Sequence, residues 1–186
     1  MTPLVTERLI LRPWRAEDRV PFAALNADPE VLRFYPATLS EAESDALADR
    51  MEAVFKEHGF TVFPVEEKAS GRFVGAVGLK PVADIVPIAP AIEVAWRLAA
   101  DVWGQGYAPE AARAALALGF EEHGLPEILA YTTRQNAPSR RVMEKLAMVR
   151  DAAADFDHPS LPADHPLARH VVYRLPRAAW ESAVSR

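Results

Sequence analysis

Cysteine is missing from all 186 residues, which excludes disulfides, thiol nucleophiles and thiolate metal sites and fits a reducing compartment, with the cytoplasm as the expected location. No segment reaches the ~20 consecutive apolar residues that cross a bilayer. The opening MTPLVTERLILRPWR has charges where a secretion signal needs an apolar stretch, so neither membrane anchorage nor export is expected. An excess of positive charge is missing too: 21 basic residues stand against 26 acidic ones, and the net charge of -5 repels a phosphate backbone, so nucleic acid is not the expected partner. Repeats and low-complexity stretches are absent. Half of the residues are hydrophobic and a quarter charged, and at ~150 residues per domain this supports one domain over residues 1–186, with roughly two-thirds of its unfolded surface buried.

Proline supplies the punctuation, clustering at Pro81, Pro87 and Pro90 and again at Pro159, Pro162 and Pro166, where missing N–H groups break regular structure into loops. Alternation predicts strands over Glu7 to Trp14, Phe60 to Glu66, Phe73 to Lys80 and Ile92 to Leu98, the second and third joined by a turn at Lys68 to Gly71. Helices are expected over Ala16 to Ala27 and from Ser40 to about Gly59. The second opens on a Ser40–Glu43 capping box and carries Leu47, Met51, Val54 and Phe55 as its buried stripe. Beyond Gly104 the order becomes glycine turn, alanine-rich helix (Tyr107 to His123), strand (Glu127 to Thr132) and helix (Pro138 to Leu146). Strands near Met148 to Phe156 and Arg169 to Leu175 and a helix from Pro176 to about Val184 complete the chain. Hairpins first and strand–helix–strand later predict an α+β, mixed α/β fold, not an all-parallel one.

Trp103 to Glu110, WGQGYAPE, lies between a strand and a helix whose Ala108, Ala112, Ala115, Leu116 and Gly119 form a small-residue stripe. Helix N-terminal N–H groups lack internal partners and the peptide dipoles add positive charge there, so phosphate suits the site. Pro109 has no N–H, which leaves Gly104, Gln105, Gly106, Tyr107 and Ala108 as donors. A bare structural turn is the alternative. A dinucleotide fingerprint fails, since GxGxxG from Gly104 needs glycine where Pro109 stands.

The same stretch resembles the acyl-coenzyme A-binding motif Q/RxxGxG/A of the GNAT acetyltransferases, and Gln135 to Met148, QNAPSRRVMEKLAM, looks like their following NxxSxxxxEKLGF. Thr6 to Trp14, TERLILRPW, is similar to the start of the branch containing ribosomal-protein N-terminal acetyltransferases. The resemblance implies a mixed central sheet of about six or seven strands with helices on both faces. It implies acetyl-CoA as acyl donor in a gap between the splayed strands that begin at Ile92 and Glu127, and transfer to a small-molecule or peptide amine. Trp103 stands where the motif prefers Gln or Arg and, on this resemblance, would border the pyrophosphate. Val94, Trp96 and Leu98 would offer backbone groups to the pantetheine arm, and Asn136 and Ser139 would lie beside it and the sulfur. Ala147 stands where the motif ends in glycine, which costs up to ~1 kcal/mol if that position is left-handed.

Direct acyl transfer needs a deprotonated amine, a polarised carbonyl and an exit for the thiolate. The resemblance makes Glu93 the candidate general base, acting through water, with a solvated strand-end charge as its alternative, and gives the Val94 or Ala95 amide to the carbonyl. Ser139 shares an inward stripe with Val142, Met143 and Leu146, so its hydroxyl meets either a carbonyl one turn back or the leaving sulfur. Asn136 reads as a helix N-cap or a ligand contact. Arg134, Arg140, Arg141 and Lys145 concentrate positive charge that meets nucleotide phosphates or only water, and Arg141 is taken as the donor-side contact. Tyr131 is a proton donor or core. His158, His165 and His170 are expected in loops near the acceptor, and no metal site is expected. The rival to an enzyme is a non-catalytic coenzyme-binding or interaction module of the same fold. The acceptor's identity and the oligomeric state, a homodimer included, are not legible.

Overall fold

Alternation along Ile92–Leu98 puts Val94, Trp96 and Leu98 on one face of a strand and Glu93, Ala95 and Arg97 on the other, and this sorting decides what each residue can meet. In the computed structural model, which describes residues 2–184, that strand lies inside one eight-stranded sheet. The order of elements is β1 (Leu4–Val5), β2 (Leu9–Leu11), α1 (Arg19–Ala27), α2 (Glu41–His58), β3 (Val62–Glu67), β4 (Phe73–Pro81) and β5 (Ile92–Leu98). There follow α3 (Tyr107–Ala117), β6 (Glu127–Thr133), α4 (Ala137–Lys145), β7 (Val149–Asp157), β8 (Arg169–Pro176) and α5 (Arg177–Val184). Strands pair in the order β1-β2-β3-β4-β5-β6-β8-β7, antiparallel throughout except β5 with β6.

Helices cover both faces. Val94 and Leu98 pack with Ala111, Ala112, Ala115 and Leu116 of α3, with Met143 of α4 and with Leu146 at its C-terminal end. Ala95 and Ala76, on the other face, meet Phe22 and Leu25 of α1 and Ala48 of α2. The alanine stripe lets α3 lie close to the sheet: a Cβ on Gly119 would come within 2.7 Å of both Ile128 Cδ1 and Leu79 Cδ1.

Several expectations change in detail. The sheet has eight strands rather than six or seven, because Leu4–Val5 adds a short edge strand too brief for alternation to show. The strand expected from Glu7 to Trp14 is regular only at Leu9–Leu11, since Pro13 cannot donate to a ladder. The alanine-rich helix widens into a π-helical turn at Leu118–Glu122 instead of running regularly to His123. The Ser40–Glu43 capping box is present, and α2 ends on Gly59 at φ 76°. Its most buried positions are Ser44 and Ala48, with Leu47, Met51, Val54 and Phe55 only half-buried.

Candidate active site

The parallel pair does not stay together. β5 and β6 are in register at Glu93 and Leu129 alone, while β4 follows β5 from Gly75 opposite Leu98 to Pro81 opposite Ile92. Beyond Glu93 the two strands separate, and their unpaired backbone groups border a cleft of about 830 Å³. Val94, Trp96, Leu98, Trp103, Gly104, Gly106, Tyr107, Ala108, Asn136, Ser139 and Arg141 all line it, as does Glu93 at the apex of the V.

At one end of the cleft, Gly104 and Gly106 take φ of 77° and 85° in the turn before α3. A Cβ on Gly104 would meet nothing within 4 Å, so the space beside it is open. Among the described residues, no protein group accepts from the amides of Gly104, Gln105 or Gly106. They are left to a ligand or to water. The turn is pinned from behind: Glu110 accepts from Thr6 Oγ1 at 2.6 Å, from the Arg8 amide at 2.8 Å and from Arg8 Nε at 2.7 Å, and Arg8 Nη1 reaches the Gln105 carbonyl at 2.8 Å. Burial alone would raise the Glu110 carboxyl's pKa, but these hydrogen bonds outweigh it and hold it below the usual range. The Tyr107 hydroxyl donates to Glu67 at 2.5 Å with Arg8 over its ring, so its side chain anchors the turn. The expectation for Gln105 concerns its amide, and that amide has no partner among the described residues. Its side chain donates to the Asp101 carbonyl and is not on the cleft wall, leaving only its amide to the site.

Midway along, the side chain of Asn136 accepts from the Ser139 amide at 3.2 Å and donates to Thr132 Oγ1 at 3.0 Å. The capping role is therefore real, and it coexists with a place on the cleft wall. Within the protein, Ser139 Oγ accepts from Trp96 Nε1 at 3.2 Å rather than donating to a carbonyl one turn back. That bond uses an oxygen lone pair and leaves the hydroxyl proton free for a third group. Trp103 donates its indole N–H to the Leu98 carbonyl at 2.9 Å and lies under the guanidinium of Arg33. Arg140 turns away from the cleft to Tyr173.

At the apex, Glu93 is not a solvated strand-end charge. It is buried, with Lys80 Nζ 2.6 Å from Oε1 and Tyr131 beside it. Burial raises its pKa, and the opposing pull of Lys80 does not cancel the effect. Burial, and then the neighbouring Glu93 charge, also raises the Tyr131 phenol. Tyr131 lies on the cleft wall and also packs against the core cluster of Leu129, Phe156 and Val172, at 5.9 Å from the ring of His170. His170 belongs to strand β8, against the loop expectation, and stands 5.1 Å from His158. Burial lowers both imidazoles and favours their neutral forms. Among the described residues no group of three metal-ligating side chains gathers. Lys80 was missed because its pairing with Glu93 crosses strands and depends on register, which one sequence does not display.

The cleft thus lies between splayed parallel strands and opens on a glycine turn with free amides. The Acetyltransferase (GNAT) domain family matches residues 8–149. The chain belongs to the GNAT acetyltransferase family. Members use acetyl-CoA as their acyl donor. The chain is 33% identical over 184 residues to an FsC-acetyl coenzyme A-N(2)-transacetylase of Aspergillus fumigatus, covering 95% of this chain and 77% of that protein. An acetyltransferase structure from Agrobacterium tumefaciens shares 26% identity at a TM-score of 0.77, with 94% of each chain covered. A ribosomal-protein-S5-alanine acetyltransferase from Vibrio fischeri, at 16% identity and a TM-score of 0.76 over 97% of this chain and 99% of that one, shares the fold.

Proposed function

We propose that this GNAT protein transfers an acetyl group from acetyl-CoA directly to a primary amine, either a protein N-terminus or a small molecule. The observation carrying the proposal is the separation of β5 from β6 beyond their single pairing at Glu93 and Leu129, with unpartnered amides at one end of the gap and a buried carboxylate at its apex. The amides of Gly104 through Ala108, at the positive end of α3, would hold the pyrophosphate, with Arg141 and Lys145 lining the same cleft. Trp103 would flank it. The backbone of Val94, Trp96 and Leu98 would take the pantetheine arm as an added strand. When bound, acetyl-CoA supplies an activated acetyl thioester.

Glu93 takes the amine's proton, directly or through water, as the nitrogen bonds to the carbonyl carbon. Its raised pKa brings the base nearer the operating pH. The Val94 or Ala95 amide polarises the carbonyl oxygen. As the carbon–sulfur bond breaks, Ser139 gives its free hydroxyl hydrogen bond to the departing sulfur, with Trp96 and Asn136 fixing its position. Neutral His158 and His170 and Tyr131 border the acceptor's path.

Calorimetric titration with acetyl-CoA, followed by a mass-spectrometric screen of amines for a gain of one acetyl group, tests the reading. Binding with transfer, and transfer lost in the E93Q/S139A double variant, is the expected result. Binding with no transfer to any amine would make the protein a coenzyme-binding module instead.

A further inference from the structure

We infer that Arg97 recognises a carboxylate on the acceptor, so that the preferred substrate is an amino acid-like or short peptide amine carrying a free acid several bonds from the reacting nitrogen. The inference rests on the acetyl-transfer reading and narrows its acceptor. Arg97 shares its strand face with Glu93, four residues away, which puts the two Cα atoms roughly 13 Å apart along the wall. Both side chains line the same cleft. The guanidinium is held rather than loose: it stacks over the Tyr35 ring at 4.5 Å, and Nη1 donates to Asn26 Oδ1. Asn26 is fully buried and oriented by Ser44, equally buried, which accepts from Nδ2 at 2.8 Å. Two buried polar side chains on α1 and α2 thus place one cation.

What they leave free is telling. Nε is buried and has no partner, and among the described residues no carboxylate pairs with Arg97. The Nε–Nη2 edge of a guanidinium is a planar fork that fits both oxygens of a carboxylate. A buried donor without an acceptor is costly, and a ligand oxygen would relieve that cost. The donor's pyrophosphate is not the natural occupant, because the free amides of Gly104 to Gly106 lead into α3, which packs on the opposite face of β5. An extended tripeptide spans roughly 10 Å from its amine to its carboxylate, a fair match to the Glu93–Arg97 spacing.

The test compares trialanine with trialaninamide as acceptors and, independently of turnover, as ligands of the coenzyme A-loaded protein by calorimetry. The wild type is expected to prefer the free acid by roughly 10- to 100-fold in kcat/KM and in binding. The preference should fall towards one in R97Q and recover only partly in R97K, which keeps the charge but loses the fork. Equal treatment of acid and amide by the wild type, absence of binding by the acid, or a preference that survives R97Q overturns the inference. Loss of coenzyme affinity in R97Q would assign the residue to the donor and overturn it too. If both peptides bind with the expected preference yet neither is acetylated, the transfer reading fails while the Arg97 assignment stands.

Discussion

Glu93, the proposed general base, is pulled in opposite directions by burial and by pairing. Burial raises its pKa and Lys80 opposes the rise, leaving a base that ionises above the ordinary carboxylate range. Turnover is expected to climb with pH as Glu93 deprotonates. E93Q should lower kcat by roughly 10²- to 10⁴-fold and abolish that limb of the pH profile. The same shift has a stability consequence of the opposite sense. With its folded pKa above its unfolded value, ionisation of Glu93 opposes folding, so stability is fullest below the unfolded value and partly lost as pH rises through it to the folded one. E93Q should therefore melt higher than the wild type at pH 7 and lose that advantage at about pH 3. A lower Tm for E93Q at neutral pH would mean that the Lys80 pair outweighs burial.

Ser139 separates chemistry from scaffolding. Its oxygen accepts from Trp96 and its proton is free, so S139A should lower kcat by roughly tenfold while changing the acetyl-CoA KM little. A KM rise with kcat intact would instead make the hydroxyl a support for Trp96.

Two predictions belong to whole elements. α4 is followed by Ala147 at φ 59°, a left-handed position that costs an L-residue with a Cβ up to ~1 kcal/mol, so A147G should raise Tm by a few degrees. At the start of α3, Glu110 gathers Thr6 and Arg8 behind the glycine turn, and Arg8 in turn holds the Gln105 carbonyl. E110Q should loosen the turn and raise the acetyl-CoA Kd several-fold with little effect on a saturated turnover rate, as calorimetry and steady-state kinetics would show together. Its carboxyl is held low, so what it adds to stability is present above its unfolded pKa and disappears as pH falls through the folded one.

Elements were also what the sequence displayed best. Alternation marked Ile92–Leu98, the Ser40–Glu43 pair marked the start of α2, and Gly104 and Gly106 took the positive φ values their turn needed. These are local signals, written in adjacent residues. What stayed hidden depends on register and packing: the Lys80–Glu93 pair across two strands, the Trp96 donor to Ser139 across strand and helix, and the Asn26–Ser44–Arg97 chain joining α1, α2 and β5. At Gln105 the amide is left to the turn's open side, while Asp101 and Arg8 draw its side chain and carbonyl elsewhere.

For the molecule as a whole, the sheet acts as a divider. α3 and α4 close the face bearing Val94, Trp96 and Leu98, and α1 and α2 close the face bearing Glu93, Ala95 and Arg97. The gap between β5 and β6 is where the two sides meet. On the proposed reading, donor and acceptor would approach from different sides and meet beside Glu93, and an acidic chain would hold a polyanionic coenzyme through main-chain amides and a local cluster of cations. No described helix is long and apolar enough to cross a membrane.

The central claim is tested most directly by soaking crystals of the protein with acetyl-CoA and locating the ligand. The account predicts a pyrophosphate against the amides of residues 104–108 and a thioester beside Glu93 between β5 and β6. Coenzyme density anywhere else, or none at concentrations that saturate other acetyltransferases of this family, would contradict it.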